Sequence, residues 1–172
     1  MDVRQIEMQA MKEIVDVCVG IPLFTYEMQV ADAPRPSGEY AAVKCLSSMN
    51  PGFDETRTVT VGGVEYFRTR GIRILTFAIL FSRVGDEYMK FDNSFYRPDV
   101  LAKLSQVKFA AMGKTPLDLA SLTLETNWEF RQGIKMQFNV LREDLAPVGI
   151  MDNAIVGGKF IDGDKVITIK GT

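Results

Sequence analysis

The chain has 172 residues, of which 47% are hydrophobic and 10% aromatic, and its formal net charge is −2. These values predict one domain with a sizeable core and exclude a wholly disordered chain. The near-neutral charge gives no general attraction to nucleic acid or to anionic membranes. The first residues lack a signal-peptide pattern, and no apolar run approaches the roughly 20 residues that span a bilayer. Synthesis and assembly in the cytoplasm are expected.

The residue types also limit the chemistry. The chain contains no histidine, which removes Ser/His/Asp and Cys/His nucleophile systems and the commonest general base at neutral pH. Its two cysteines, Cys18 and Cys45, make no disulfide framework and are expected to behave as small buried hydrophobes. We predict no catalytic, cofactor-binding or metal-binding residues and therefore a non-enzymatic protein. An enzyme that uses Asp or Glu with Lys is the third-ranked alternative.

The chain begins with a predicted amphipathic helix over residues 3–18. Asp2 is expected to cap its start with Gln5 three residues on, and Gly20 followed by Pro22 to end it. Apolar residues recur at spacings of three and four and should face the core: Val3, Ile6, Ala10, Ile14 and Val17.

Two strands are predicted on either side of a proline-rich corner, over residues 22–30 and 40–46. Pro34 and Pro36 enforce an extended segment between them. Gly38 is expected to adopt a backbone conformation that a β-branched residue cannot reach. The corner would then deliver the second strand to the sheet.

A loop and a hairpin follow. Residues 47–55 are rich in turn formers, and residues 58–67 read TVTV-GG-VEYF, which is typical of two strands joined by a two-residue turn. Gly62 and Gly63 do not fit the spacing of a phosphate-binding loop. They are therefore interpreted as the turn.

The sheet is predicted to centre on residues 69–81, TRGIRILTFAILF, which alternate at first and then become apolar on both faces. The second face should be covered by a helix or by another subunit. The predicted partner strand is residues 130–143, in which apolar and polar side chains alternate. Its apolar residues are Ile134, Met136, Phe138 and Val140.

A short helical turn is expected within residues 85–94 and a clearer helix from Pro98, with an apolar stripe at Val100, Leu104, Val107 and Ala111 and an end at Gly113. Lys103, Lys108 and Lys114 make a weak basic surface. Residues 117–124 have no consistent period. The single tryptophan, Trp128, is predicted to be a buried packing anchor.

The last part of the chain, residues 149–172, is predicted to be a small β arm. Three short strands are expected at residues 154–156, 159–161 and 165–169, separated at Gly157-Gly158 and Asp162-Gly163. Strands this short are not stable alone, so the arm is expected to dock on a neighbouring subunit. The interface residues would be Ile155, Phe160, Ile167 and Ile169.

These elements predict an α+β fold: a small mixed or antiparallel sheet flanked by two helices, with a C-terminal β tail. The predicted division is an α+β domain over residues 1–148 and the arm over residues 149–172.

The segment from Arg35 to Val43, RPSGEYAAV, with the acidic loop after it, resembles the RPSGxYAxV start of a family of phage neck proteins of the tail-terminator kind. The later segment WEFR, from Trp128 to Arg131, is similar to the WExR motif that opens the family's last core strand. The resemblance covers about residues 1–145 and not the arm. It assigns a structural role to Arg35, Pro36, Ser37, Gly38, Tyr40, Trp128, Glu129 and Arg131.

The resemblance implies a non-enzymatic subunit of a ring in the virion neck, commonly a hexamer, without a cofactor. The ring would cap the tail tube and dock beneath the head-completion proteins. Its partners would be further copies of the chain, tail tube and sheath proteins, and head-completion or connector proteins. Genomic DNA would pass through the lumen without being read, and no membrane would be involved.

Two alternatives remain open. The first is another collar, head–tail connector or tail-completion protein with a similar sheet. The second is a β-rich binding module, in which Trp128, Tyr66, Phe67 and Tyr40 form an aromatic platform for single-stranded nucleic acid or a peptide. The acidic balance of the chain argues against the second, since such binding needs a basic groove.

Overall fold

The computed structural model describes residues 3–28, 37–82, 86–124, 127–148, 153–160 and 163–170, with the backbone alone over 118–131 and in the last two ranges. The described elements are α1 (Gln5–Val19), β1 (Thr25–Glu27), β2 (Ala41–Met49), β3 (Glu55–Val61), β4 (Val64–Phe81), α2 (Asp86–Asn93), α3 (Pro98–Val107), β5 (Phe109–Leu124), β6 (Asn127–Pro147), β7 (Asn153–Phe160) and β8 (Gly163–Lys170).

The main sheet has six strands in the order β1-β2-β4-β6-β5, and β3 pairs with β4. β1 runs parallel to β2, whereas β2 with β4 and β5 with β6 are antiparallel. The sheet is therefore mixed, and the α+β class predicted from the sequence is confirmed. The prediction that β4 is central and borders β6 is also confirmed.

The core lies on one face of the sheet, beneath the helices. In the last part of β4, Leu75, Phe77, Ile79 and Phe81 are at most 1% exposed, and so is Phe138 on β6. Phe138 packs with Phe77 and Phe109, and the three ring centroids lie 5.4–6.4 Å from one another. The predicted apolar face of β6 is buried throughout: Ile134, Met136, Phe138 and Val140. On the opposite face of β4, Thr76 and Ala78 are buried as well.

Helix α1 begins two residues later than predicted, and its buried stripe matches the predicted one in part. Ala10 and Ile14 are buried, and Val3 and Val17 are partly buried against the core. The N-cap of the helix is Arg4, whose backbone N–H donates to Glu7 Oε2 at 2.8 Å, so the predicted cap by Asp2 and Gln5 is wrong. Ile6 is 75% exposed, whereas Met8, Met11, Ile14, Val15 and Cys18 are fully buried. Spacing alone did not identify the whole stripe, because Met8 and Met11, which were not assigned to it, are buried as well. Gly20 ends the helix with φ +79°, as predicted.

The proline-rich corner is described only from Ser37, so Arg35 and Pro36 lie outside the described residues. The expectation for Gly38 is wrong. Its φ is not positive, and a Cβ added there would meet no atom within 4 Å. The hairpin turn is confirmed, since Gly62 and Gly63 have φ of +61° and +84° between β3 and β4. Residues 47–49, predicted as loop, extend β2.

Helix α2 confirms the expected short helix, but α3 ends earlier than predicted, at Val107. Lys108 takes the left-handed conformation, φ +59°, and β5 starts at once. Ala111 and Gly113 therefore belong to a strand. The helical spacing of Val100, Leu104, Val107 and Ala111 is overridden because Phe109 packs into the aromatic core.

The chain divides into two compact units. The first comprises Met1–Asp54 with Arg70–Glu143, and the second comprises Glu55–Thr69 with Asp144–Thr172. In the second unit, β7 and β8 form a two-stranded antiparallel sheet, hereafter the arm. The predicted break at Gly157-Gly158 is wrong, since both residues pair within the ladder. The predicted boundary between residues 148 and 149 stays a prediction.

Candidate assembly surfaces

The motif residues at the start of β2 are positioned by ordinary packing. Ser37 and Gly38 are exposed, whereas Tyr40 is 5% exposed and meets Tyr26 edge to face with ring centroids 5.8 Å apart. The Tyr40 backbone N–H donates to Ser82 Oγ at 3.0 Å. Tyr40 therefore fastens the beginning of β2 to the end of β4.

The second motif lies at the beginning of β6. Trp128 is paired with Thr123 of β5, Glu129 with Leu122, and Arg131 with Ala120: three residues in one hairpin ladder. Their side chains lie outside the described part of the chain. The anchoring role of Trp128 stays a prediction.

The register of the arm divides its residues between two faces. Ala154 pairs with Ile169 and Val156 with Ile167. Since directly opposed residues of an antiparallel pair share a face, Ile167 and Ile169 lie on one face together with Phe160. Ile155 falls on the other. The register thus places three of the four predicted interface residues on one face of the ladder and Ile155 on the other, and their role at an interface stays a prediction.

A buried ion pair joins α1 to β6. Arg142 Nε donates to Glu7 Oε1 at 2.8 Å and its Nη2 donates to Oε2 at 2.6 Å, with the two side chains 7% and 5% exposed. Such a two-pronged pair fixes the orientation of both side chains. It holds the first turn of the helix against the sheet.

A second ion pair fixes residues 50–54, hereafter the pinned loop. Arg73 Nη1 and Nη2 donate to the two carboxylate oxygens of Asp54, each at 2.7 Å, and Asn50 Nδ2 donates to Asp54 Oδ1 at 3.1 Å. The arginine holds the pKa of Asp54 below its usual value. The Asp54 carboxylate lies over Gly71, where an added Cβ would stand 1.8 Å from Oδ1. Gly71 is therefore required for this approach.

The pinned loop displays an aromatic side chain that touches nothing else in the described chain. Phe53 is fully exposed, at 105% of the reference value. Next to it, the Gly52 N–H donates to Asn50 Oδ1 at 3.1 Å, which shapes the turn. The loop is thus held in place by polar contacts while its largest apolar group faces solvent.

An apolar groove runs between α3 and the edge strand β5, with a volume of about 460 Å³. It is called the α3–β5 groove here. Its lining residues include Phe95, Tyr96, Leu101 and Met112. Tyr96, Leu101 and Met112 are 91%, 50% and 57% exposed. Since β5 ends the strand order, its outer edge has no neighbouring strand within the described residues.

The predicted basic surface is largely neutralised by neighbouring acids. Lys103 Nζ lies 2.6 Å from Glu13 Oε2, and Lys114 Nζ lies 2.5 Å from Asp92 Oδ1. Lys108 is the left-handed residue that ends α3. These contacts favour the interpretation of a solvated, paired surface over a nucleic-acid groove.

The aromatic platform of the binding-module alternative is not supported by its described members. Tyr40 is buried. Tyr66 and Phe67 are consecutive in β4, and successive strand residues point to opposite faces. These three side chains therefore do not present one stacking surface.

Sequence reasoning predicted a loop over residues 47–55 but missed the ion pair that holds it, and it missed the groove. Two sequence features point to the loop. One is a phenylalanine within the turn-rich segment MNPGFDE, and the other is a glycine within a strand, Gly71. No sequence pattern indicates the groove, because Leu101 and Met112 come from a helix and a strand that meet only in the fold.

Within the described ranges, no helix has the length and apolar composition needed to span a membrane. The same ranges contain no group of three or more histidine, cysteine, aspartate or glutamate side chains that is placed to hold a metal ion.

Comparison with known proteins gives one family. A family model described as phage neck terminator protein matches residues 8–164, which is most of the chain and includes part of the arm. No curated protein matches the chain.

Proposed function

The chain belongs to the family of phage neck terminator proteins, and from this premise we propose that it forms a closed ring, a hexamer, at the head–tail junction. Membership makes it a structural protein of the virion neck that associates with other phage head and tail proteins. The match over residues 8–164 is the observation that carries the proposal. The number of subunits rests on the resemblance of the RPSGEYAAV and WEFR segments.

Two structural features support self-association. Within the described residues, the strand order leaves β5 as an edge 16 residues long, which offers unpaired backbone groups to another chain. The arm is a two-stranded sheet of eight-residue strands, a size that is marginal in water without further packing. In the proposed ring, the face of the arm that carries Phe160, Ile167 and Ile169 packs on a neighbour.

The proposed ring surrounds the DNA path without reading sequence, and it takes no cofactor and performs no catalysis. The paired charges of Lys103 and Lys114 favour this role, since neither adds a free positive charge for phosphate binding. Its proposed partners are the tail tube and sheath on one side and the head-completion or connector proteins on the other. Assembly takes place in the host cytoplasm.

Infection with phage that lack this gene product tests the proposal. A terminator is expected to be required both for tails of uniform length and for joining them to heads. Electron microscopy should therefore show unjoined heads together with tubes of irregular length. Tails of normal length that fail to join would favour the connector or tail-completion alternative. Normal infectious particles would contradict both functions.

A further inference from the structure

The face of the main sheet opposite the helices, hereafter the open face, carries two lysines that have no acidic partner among the described side chains. We propose that this face lines the DNA path of the ring and that Lys44 and Lys135 contact the phosphate backbone there. The inference rests on the proposed ring and names the surface by which each subunit meets DNA.

The strand registers place the two lysines level with each other across the centre of the sheet. Lys44 of β2 is paired with Ala78 of β4, and β6 lies on the other side of β4. The strands β4 and β6 run antiparallel, because Leu80 approaches Gly133 while the beginning of β4 reaches the end of β6. Two residues further along each strand, Lys135 lies beside Ala78. The backbones of the two lysines are therefore two strand spacings apart, roughly 10 Å.

Both lysines lie on the face that the described helices leave free. The neighbours of Ala78 in the chain, Phe77 and Ile79, belong to the core beneath the helices. Successive strand residues point to opposite faces, and residues level with each other on paired strands share a face. Ala78 and the two lysines therefore belong to the open face. Lys44 is exposed and Lys135 is partly exposed.

The open face is positively charged although the whole chain has a net charge of −2. Among the described side chains that the first unit places on this face, Glu143 is the acidic one, and its Oε2 lies 3.7 Å from Arg70 Nε. This pair adds no net charge, so the two lysines leave the face positive. A positive surface is complementary to the phosphate groups of DNA.

DNA suits this face better than a second protein surface does. A subunit seated on the half-exposed Ile72 and Leu141 and extending over the lysines would bury two ammonium groups without acidic partners, which is costly. A DNA duplex instead supplies one negative charge for about every 1.7 Å of its axis. Lysine is a point charge on a flexible stem, so it can follow a moving phosphate without selecting bases.

The consequence is that DNA binding belongs to the ring and not to the single chain. Two lysines on a chain of net charge −2 give little attraction by themselves. In a closed ring every copy turns the same face to the axis, so the contacts add up around one duplex. Contacts of this kind are independent of sequence and weaken as the salt concentration rises. They are compatible with DNA that moves through the ring.

Photo-crosslinking in assembled virions tests the proposal. Lys44 or Lys135 is replaced by the photoreactive residue p-azidophenylalanine, and the substituted chain is supplied together with wild-type copies so that mixed rings form. The matched control carries the same residue in place of Lys90, an exposed lysine of α2, and so loses the same charge on the helix side. The virions are irradiated both at rest and while their DNA is being released.

We expect DNA to become covalently attached to the chain at positions 44 and 135 and not at position 90. The yield of these adducts should fall when the salt concentration is raised during release. Adducts of positions 44 and 135 to a protein, equal DNA adducts at position 90, or no adducts at all would overturn the DNA contact and leave the ring intact, provided that the virions contain the chain. Absence of the wild-type chain from virions would overturn the proposed function itself.

Formaldehyde treatment of wild-type virions covers the case in which the substituted chains are excluded from particles. Formaldehyde joins lysine amines to DNA, so no substitution is needed. Mass spectrometry of the purified protein–DNA adducts should identify peptides that contain Lys44 and Lys135. Recovery of the Lys90 peptide in their place, or of no peptide of this chain, would contradict the proposal.

Discussion

The helix-covered face of the sheet and the pinned loop are both well ordered, but by opposite means. On the covered face, aromatic and aliphatic side chains such as Phe77 and Phe138 are removed from water. In the loop, the carboxylate of Asp54 is held by Arg73, while Phe53 stays in water. The first region stabilises the fold. The contacts of the second region fix the position of Phe53, whose side chain contributes no burial to the fold.

This difference indicates that the residues that stabilise the fold are not the residues of the pinned loop. A residue of the covered face acts on the whole fold, because the core is shared by the three helices and four strands. A residue of the pinned loop acts locally. Substitutions in the two regions should therefore affect different measurements, and the following predictions test that separation in order of decreasing effect on stability.

The largest contrast is between two phenylalanines. Phe138→Ala should lower the free energy of unfolding by about 3–5 kcal/mol, because it removes a fully buried ring and leaves a cavity. Phe53→Ala should leave the unfolding free energy within about 0.5 kcal/mol of wild type, because its ring is fully exposed. Urea unfolding measures both. Similar losses of unfolding free energy in the two variants would show that the loop and the core contribute alike to stability.

The buried ion pair should behave like the core. Glu7→Gln leaves the Arg142 charge buried without its partner, which is expected to cost about 3–5 kcal/mol. The double variant Glu7→Leu with Arg142→Met should recover most of this loss, since apolar replacement of a buried pair is often neutral. Glu13→Gln, which breaks the more exposed pair with Lys103, is the matched control and should cost at most about 1 kcal/mol.

Gly71→Ala should loosen the pinned loop with a smaller effect on the fold. The added methyl cannot coexist with the Asp54 carboxylate in its present position, 1.8 Å away. Amide hydrogen exchange in residues 50–54 should accelerate while that of β6 is unchanged. Gly38→Ala is the control, because a Cβ there meets no atom within 4 Å. Equal protection in the two variants would show that the ion pair does not hold the loop.

Acid should open the same loop. Because the pKa of Asp54 is lowered in the closed loop, the closed form binds a proton less readily than the open form. The contribution of the ion pair is therefore complete above the ordinary aspartate value of 3.8 and is lost as the pH falls through the lowered pKa. The amide NMR signals of Gly52 and Gly71 should report this transition. The variant Asp54→Asn should lack it; an unchanged transition in that variant would assign it to another group.

The cysteines should show the smallest effects. Burial raises the pKa of Cys18 to about 11 and also raises that of Cys45. Both thiols should thus react far more slowly with a thiol reagent in the native protein than in urea. The double variant Cys18→Ala with Cys45→Ala should still assemble and infect. Loss of infectivity in a folded double variant would reveal a thiol function.

The parts of the fold that the sequence predicted are those governed by local pattern. Strict alternation identified the buried face of β6, and Gly62-Gly63 identified the β3–β4 turn. The end of α3 was wrong because a long-range contact, Phe109 against Phe138, overrides a helical spacing that continues to Ala111.

The candidate surfaces were much less predictable because they depend on distant pairs. Asp54 and Arg73 are 19 residues apart and Glu7 and Arg142 are 135 apart, so no local pattern links them. The apolar arm residues were recognisable by composition, but only the register separates Ile155 from Phe160, Ile167 and Ile169. The family resemblance in RPSGEYAAV and WEFR, by contrast, agrees with the family match over residues 8–164.

The central claim is a ring of this chain at the head–tail junction, and image reconstruction of purified virions tests it most directly. If the proposed ring forms, the reconstruction should show closed density into which six copies fit, with residues 150–170 of each copy touching a neighbour. Absence of the chain from the particle, or its presence only as a monomer in the infected cell, would rule out the ring.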